Sequence, residues 1–389
     1  MGEWWKSAKS LNWRTAMLLG LISSTFSTLV SQLMAARIGR DAVIEWMVVA
    51  SIPLRSQVFA MDPSWGTIAA GILFHQWADF SWALVFFGLL GRWTGSLKPL
   101  TILLVALPWA VFTSATEWFF LVPLVPFWQP VFTLEQPYWI GLLVHMTSAS
   151  MYPLFPWLRD RLGGRLPSLH RRFALAWSAF ALIGLLCLGA AAFLGWHDRE
   201  LPWMGRDAAY DQGYMRRMAA HHAQGIELAR IAVEKAQEPY LRDLARLMAA
   251  NQKGEITIFA QWWRSWFPGP LQPPTEDYAT MPGMLSSGQI ESLRRAEGSD
   301  FDPLFISLMT MHHKGAILMA DEALRQAGDI RLRLMAHATR HSQRGEIEMM
   351  HGTEGLAAVK AATLSMIVPV GEASADRRGS PLPAHPMAH

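Results

Sequence analysis

Met218-Ala-Ala-His221-His222-Ala-Gln-Gly-Ile226 and Met309-Thr-Met-His312-His313-Lys-Gly-Ala-Ile317 lie 91 residues apart, and their likeness decides the reading of everything after residue 200. Aligned without a gap at that shift, residues 211–259 and 302–350 agree at fifteen of 49 positions, against about three expected by chance. The matches fall in two blocks, Asp211/Asp302 to Ala236/Ala327 and Leu241/Leu332 to Ile256/Ile347, so each unit contains two elements. In the first unit Tyr214, Met218, Ile226, Ala229 and Val233 recur near the helical period, and Pro239 marks the break before a second helix running to about Phe267. In the second unit Asp302-Pro303 reads as a cap followed by proline at the first helical position, Gly328 closes the helix and Asp329 opens the next. Two helical hairpins, about 207–267 and 299–357, predict an all-α domain at 201–360 built as a four-helix bundle.

Between the hairpins, Pro268–Gly283 holds five Pro and two Gly in sixteen residues and is expected to be an extended crossover. Ser286 and Gln289 read as a capping box opening a short extra helix to about Glu297. The Pro-, Ala- and Ser-rich tail, 361–389, is expected to be disordered and ends in His385 and His389, an accessory ligand pair or an incidental tail.

The repeated residues carry chemistry. Met218 stands three and four residues before His221 and His222, as Met309 does before His312 and His313, so each thioether meets imidazole across a helical turn. Adjacent histidines diverge by about 100° around a helix, so one of each pair is expected inside and the other at the edge. Thioether with imidazole is a soft, neutral ligand set that suits Cu(I), and by the same logic Ag(I), better than Mg or Ca. Met215, Met311, Met319, His337 and His341 are further candidates on the same helices. A methionine at helical spacing is ordinarily core filler and a lone histidine ordinarily a hydrogen-bonded core residue. Repetition of the whole Met-x-x-His-His unit in one register is what argues for metal. Gln252 with Glu255, and Gln343 with Glu346, lie on the partner helices, where they hydrogen-bond the imidazoles, pair the helices, or add a harder ligand.

The first 200 residues are of another kind. The chain is 51% hydrophobic and 17% charged, with 15 of 19 Trp before residue 200 but 14 of 21 Met after it. Charge-poor stretches at about 15–36, 66–91, 100–118, 138–158 and 173–196 are long enough to cross a bilayer. Residues 42–60, interrupted by Glu45, Pro53 and Arg55, read as interfacial or re-entrant. The first stretch lacks a small-residue cleavage site and is expected to be retained. Lys6, Lys9 and Arg14, Arg92 and Lys98, and Arg159 to Arg172 put the N-terminus and two loops in the cytoplasm, although Arg37, Arg40 and Arg55 run against the rule. Five crossings in residues 1–200 then place the bundle outside, in the periplasm of a bacterium whose inner membrane holds the anchor. The net charge of +3 comes from the first 200 residues, at 14 basic against 10 acidic, so no nucleic-acid partner is implied. The one cysteine, Cys187, supports neither a disulfide scaffold nor a thiolate zinc site. Four ionisable groups lie inside the stretches: His75, Asp79, Glu117 and His145. They serve an ion, proton or metal path, or pack the helices as polar pairs.

The pattern Met-x-x-His-His-x-x-Gly-Ile with a downstream Gln-x-x-Glu-Ile, repeated as MTMHHKGAILMA and QRGEI, resembles the extracytoplasmic family known as domain of unknown function 305, over about residues 207–352. The resemblance implies a ferritin-like bundle in which Met218, His221, His222, Met309, His312 and His313 face a metal, some members being copper binders. It extends no further than the second half. The function expected is a membrane-anchored Cu(I)- or Ag(I)-binding protein for copper tolerance or trafficking, not an enzyme, working with a metal-exporting or metal-receiving partner. The alternatives are a transporter with a capture domain, and a di-metal redox enzyme, although the pair of Glu-x-x-His motifs usual in such a centre is missing.

Overall fold

The computed structural model describes residues 2–60, 62–124, 130–273 and 280–367, with side chains from residue 8 onward. Every regular element among them is helical, so the chain is all-α. The N-terminal part comprises α1 (Gly2–Met34), α2 (Ala42–Leu54), α3 (Trp65–Leu84), α4 (Pro99–Thr116), α5 (Val131–Glu135), α6 (Tyr138–Ala149), α7 (Phe155–Leu162) and α8 (Arg171–Trp196), with short 3-10 and π turns extending several of them. The C-terminal part comprises α9 (Ala208–Lys235), α10 (Pro239–Trp266), α11 (Ser287–Arg295), α12 (Phe301–Gln326), α13 (Ile330–Met350) and α14 (Gly355–Ile367).

The starts of these helices follow from local chemistry. Asp207 caps α9 by accepting from Tyr210 N–H, Pro239 sits at the first turn of α10, and Ser286 with Gln289 closes a capping box on α11. Asp302 behaves differently from the expected local cap. Helix α12 begins two residues earlier, at Phe301, and the Asp302 carboxylate instead accepts from Gln237 and Glu238 N–H, 2.9 Å each, at the turn between α9 and α10. Asp211 does the same for the other hairpin, accepting from Gly328 N–H at 2.7 Å and Asp329 N–H at 3.0 Å. Each hairpin thus caps the turn of the other. Gly328 is required by crowding, since a Cβ there would lie 2.6 Å from Arg206 N and 3.0 Å from Asp207 N.

Among the described residues five helices are long and apolar enough to cross a membrane: Ala8–Ile38, Ala42–Phe59, Trp65–Leu89, Pro99–Leu124 and Arg171–Trp196. The last buries only 6% of its apolar window, leaving Leu175, Phe180, Ile183, Leu186 and Phe193 bare. The stretch at 138–158 differs from the single helix expected. It is α6, a 3-10 turn at Tyr152–Leu154 and α7, because Pro153 and Pro156 supply no N–H to the helical ladder. The tail also differs, for residues 361–367 belong to α14, which lies on α13. Residues 368–389, with His385 and His389, lie outside the described residues.

One apolar core runs through both parts. Met47, Val48, Phe59, Trp118, Val131 and Leu134 share a cluster with Leu228, Leu244, Met248, Phe305, Met309 and Met349. Polar links reinforce this contact: Glu200, paired with Arg37 at 2.8 Å, accepts from Gln261 Nε2 of α10 at 3.1 Å, Asn251 Nδ2 donates to Glu135 at 2.8 Å, and Trp139 Nε1 donates to His337 Nδ1 at 3.2 Å. The glycines of the two Gly-Glu-Ile segments are where the parts meet. A Cβ at Gly254 would lie 3.0 Å from the Asp41 side chain, and one at Gly345 would collide with the Leu134 carbonyl. Segment 42–60 begins and ends against the bundle, since Asp41 and Ala60 border one groove with Arg230 of α9 and Arg246 of α10.

Candidate metal centre

His221, His222, His312 and His313 come from the middle turns of α9 and α12 and are all fully buried. The rings of His221 and His312 lie against each other, centroids 3.9 Å apart. His221 Nε2–H donates to Pro282 O and His312 Nε2–H to His221 O, 3.0 Å each. A carbonyl only accepts, so Nε2 carries the proton and Nδ1 presents a bare lone pair. The second histidine of each pair turns to its own hairpin's partner helix. His222 Nε2 stands 2.6 Å from Glu255 Oε2, which also accepts from Thr339 at 2.9 Å. His313 Nε2 stands 2.6 Å from Glu346 Oε2, in ion-pair contact but off the line of a hydrogen bond. The divergence around the helix is as expected, but no histidine is at an edge. The N-terminal part covers that side, bringing Arg40 to 4.0 Å from Glu255 and Glu135 to the Asn251 amide that also holds Glu346.

Nδ1 of all four imidazoles has no hydrogen-bond partner. A buried polar atom left unpaired costs about 1–3 kcal/mol, and a domain's whole stability is roughly 5–15 kcal/mol. Four such atoms are a large burden for packing alone. Burial, then the neighbouring His222, pushes His221 down to about 3, and burial with His221 and His313 holds His312 well below the usual imidazole range. Both are neutral at ordinary pH, the state in which imidazole ligates metal.

Thioethers flank the histidines in two apolar clusters. Met215, Met218 and Met319 pack with Tyr214, Phe259 and Met281 on one side, and Met309 packs with Leu228 and Met248 on the other. Met319 of the second unit therefore joins Met218 of the first. Met311 is 39% exposed, beside Lys314 and His351, away from the histidines. His337 and His341 are also separate from them. His341 Nε2 donates to Thr133 O at 3.0 Å while Nδ1 meets Ser365 Oγ at 2.6 Å, and His337 joins Trp139 to α14. Of the four residues expected to hydrogen-bond the imidazoles Glu255 does so, whereas the Gln252 amide and Gln343 Oε1 are buried without partners. Glu348-x-x-His351 does spell one Glu-x-x-His, but His351 is exposed at the end of α13. Among the described residues no three His, Cys, Asp or Glu side chains converge as a metal-holding group.

Glu135, Asn251, Thr339 and Pro282 complete this centre without having been picked from the sequence. Glu135 had a signal of a kind, as an acid in an apolar loop free of Lys and Arg. Burial, then Glu346, raises its carboxyl well above the usual range. The others had none, because hydroxyl, amide and carbonyl groups matter here only through where the fold puts them. The four residues picked within the apolar stretches pair as His75 with Asp79, 3.6 Å, and His145 with Glu117, 3.2 Å.

A duplicated hairpin bundle with a buried histidine and glutamate interior, packed on long apolar helices, is the class that fold and site define. The family model described as Domain of unknown function (DUF305) matches residues 211–353, so that segment is a domain of that family. No curated protein matches the chain. Among solved structures, a DUF305 fragment from Deinococcus radiodurans is 26% identical, covering 39% of this chain and 97% of its own, with a TM-score of 0.35. CopM in its Cu(I)-bound form is 27% identical over 36% of this chain and 93% of its own, at 0.32, and its Ag-bound form gives the same figures.

Proposed function

We propose that this chain is a membrane-anchored, extracytoplasmic binder of Cu(I) or Ag(I), serving copper tolerance or trafficking rather than catalysis. The observation that carries the metal reading is the pair of buried, neutral imidazoles of His221 and His312, whose Nδ1 lone pairs have no partner, on helices whose methionines sit in two apolar clusters. His221 and His312, with Met218 and Met309 the nearest repeated thioethers in sequence, would hold the ion. His222 and His313 are oriented by Glu255 and Glu346. The imidazoles do not converge as a larger polydentate set, and Cu(I) and Ag(I) accept few, soft ligands. Neutral donors leave the charge of the bound ion at +1, which a buried site tolerates better than a divalent charge.

Two observations support the anchor and its orientation. The bundle touches Gly39 beyond α1, both ends of segment 42–60, α5, Trp139 at the start of α6, and, through Gln261, Glu200 beyond α8. The opposite helix ends carry Lys9, Arg14, Arg92, Lys98, Arg159, Arg161, Arg165, Arg171 and Arg172, the distribution of a cytoplasmic face. Segment 42–60 enters and leaves on the bundle side, which favours a re-entrant path and five crossings. Arg37 and Arg40, which run against the charge rule, are held by Glu200 and Glu45 within the fold.

The test is equilibrium dialysis of the detergent-solubilised full chain against Ag(I), with Cu(I) under reductant. Met309→Leu combined with His312→Ala and His313→Ala is expected to lower the stoichiometry, and His221→Ala with His312→Ala to abolish high-affinity binding. Unaltered binding in both would sink the assignment.

A further inference from the structure

A cavity of about 130 Å³ lies in the N-terminal half directly beneath the bundle. Its walls are largely apolar, from Val30, Trp46, Val49 and Phe74, yet it also borders all four ionisable groups of the spans, His75, Asp79, Glu117 and His145. Arg40, Glu45 and Gln136 line its bundle end, where Arg40 pairs with Glu45 at 2.5 Å and Gln136 donates to Glu45 at 2.9 Å. The volume holds several waters. His145, seven residues into α6, is about 10 Å below that end at 1.5 Å per residue.

The hydrogen-bond inventory says what such a chamber takes. With the Thr113 hydroxyl donating to Ala110 O at 3.2 Å, His145 Nδ1–H is the donor in the 2.9 Å contact with Thr113. One oxygen of Glu117 accepts from the Trp82 indole, and the other lies 3.2 Å from His145 Nε2. With Nδ1 protonated, an unprotonated Nε2 would point its lone pair at a carboxylate. One shared proton removes that repulsion, whether it sits on nitrogen or on oxygen. Across the chamber, Ser27 Oγ bridges His75 Nε2, at 3.1 Å, and Asp79. The lone pairs a metal would need are thus already committed, and no metal-holding group is found here among the described residues. Two buried His–carboxylate pairs are also expensive as mere packing, since apolar residues of equal volume would do that work more cheaply.

We propose that this chamber is a proton-loading site entered from the bundle side, in which His145–Glu117 binds one exchangeable proton and the Ser27-bridged His75–Asp79 pair a second. Protons arrive through water past Glu45, Arg40 and Gln136. The charged and titratable groups facing the pairs are each other, Tyr152 opposite Asp79, and Glu45 with Arg40 at the mouth. The inference is independent of the metal reading, because none of the four proton-binding side chains, His75, Asp79, Glu117 and His145, belongs to the histidine centre.

Infrared difference spectra of the full chain in lipid nanodiscs, recorded between alkaline and acid pH, test it. The expected result is a protonated-carboxyl band that shifts in D2O and is lost, in part, in Glu117→Gln and in further part in Asp79→Asn. Thr113→Val keeps every ionisable group but removes the Nδ1 acceptor, and should move the pH at which the Glu117 band appears. Ag(I) binding by the same preparations reports on the bundle, so a fold defect and a failed metal reading are each read separately. A Glu117→Gln spectrum identical to that of the unsubstituted chain, absence of D2O exchange, or an unmoved midpoint in Thr113→Val would overturn the proposal.

Discussion

His341 illustrates how a residue's neighbours, rather than its type, decide its role. On the sequence it stands four residues after His337 and looks like half of a chelating pair. In the fold both its nitrogens are spent, one on Thr133 O and one on Ser365. Burial pushes it down to about 3, with the Thr133 carbonyl acting in the opposite direction. The sign of the linkage follows. The folded chain keeps His341 neutral while the unfolded chain protonates it near the ordinary imidazole value of 6.5, so its contribution is present above that pH and is lost as pH falls toward about 3. The slope is at most about 1.4 kcal/mol per pH unit for one group. Thermal denaturation of the full chain in detergent is expected to show a Tm falling as the medium is acidified below neutrality, with a shallower fall in His341→Asn. An equal slope in the variant would remove His341 from the account.

Between helices, the notable device is the exchange of carboxylates by Asp211 and Asp302. Both are matched by the repeat, and on sequence grounds Asp302 next to Pro303 reads as a cap of its own helix. The structure sends it across to Gln237 and Glu238, as Asp211 is sent to Gly328 and Asp329. A pattern along one chain registers the residue but not the partner, because the turn it caps lies about 65 to 118 positions away. Asp211 is completely buried and also accepts from Trp203 Nε1, whereas the Asp302 bonds are exposed. Asp302→Ala should therefore cost about 1 kcal/mol and Asp211→Ala about 2–3 kcal/mol or more, by the cost of stranding buried donors. Urea denaturation of the two variants checks the order, and a larger loss at Asp302 would contradict it.

Across the whole molecule, the bundle is seated on the apolar half and not merely strung from it. One apolar cluster crosses the boundary, and Gly254 and Gly345 let α10 and α13 approach Asp41 and Leu134. Gly345→Ala meets a backbone carbonyl that cannot swing aside, while Gly254→Ala meets a side chain that needs to yield only slightly. The expected destabilisation is about 1–3 kcal/mol for Gly345→Ala and less for Gly254→Ala. Limited proteolysis should show the same order, with Gly345→Ala exposing the junction around residues 197–206. A junction equally resistant in both variants would mean that the seat tolerates the extra methyl group.

Much of this was legible in the residues. Helical periodicity, proline and capping signals are local, so α9, α10, α11, α12 and α13 could be placed to within a few positions, and a repeat at a shift of 91 marks the Met-His-His units without any structure. Length and hydropathy likewise locate the long apolar helices, because crossing hydrocarbon is a requirement on consecutive residues. Tertiary structure alone decided which imidazole nitrogen is free, that Met319 sides with Met218, that Glu135 reaches Asn251, and that a proline-containing turn divides residues 138–162. The physical reason is the same in each case. Hydrogen bonds, burial and close approach depend on distances between residues far apart in the chain, and only the packed fold sets those distances.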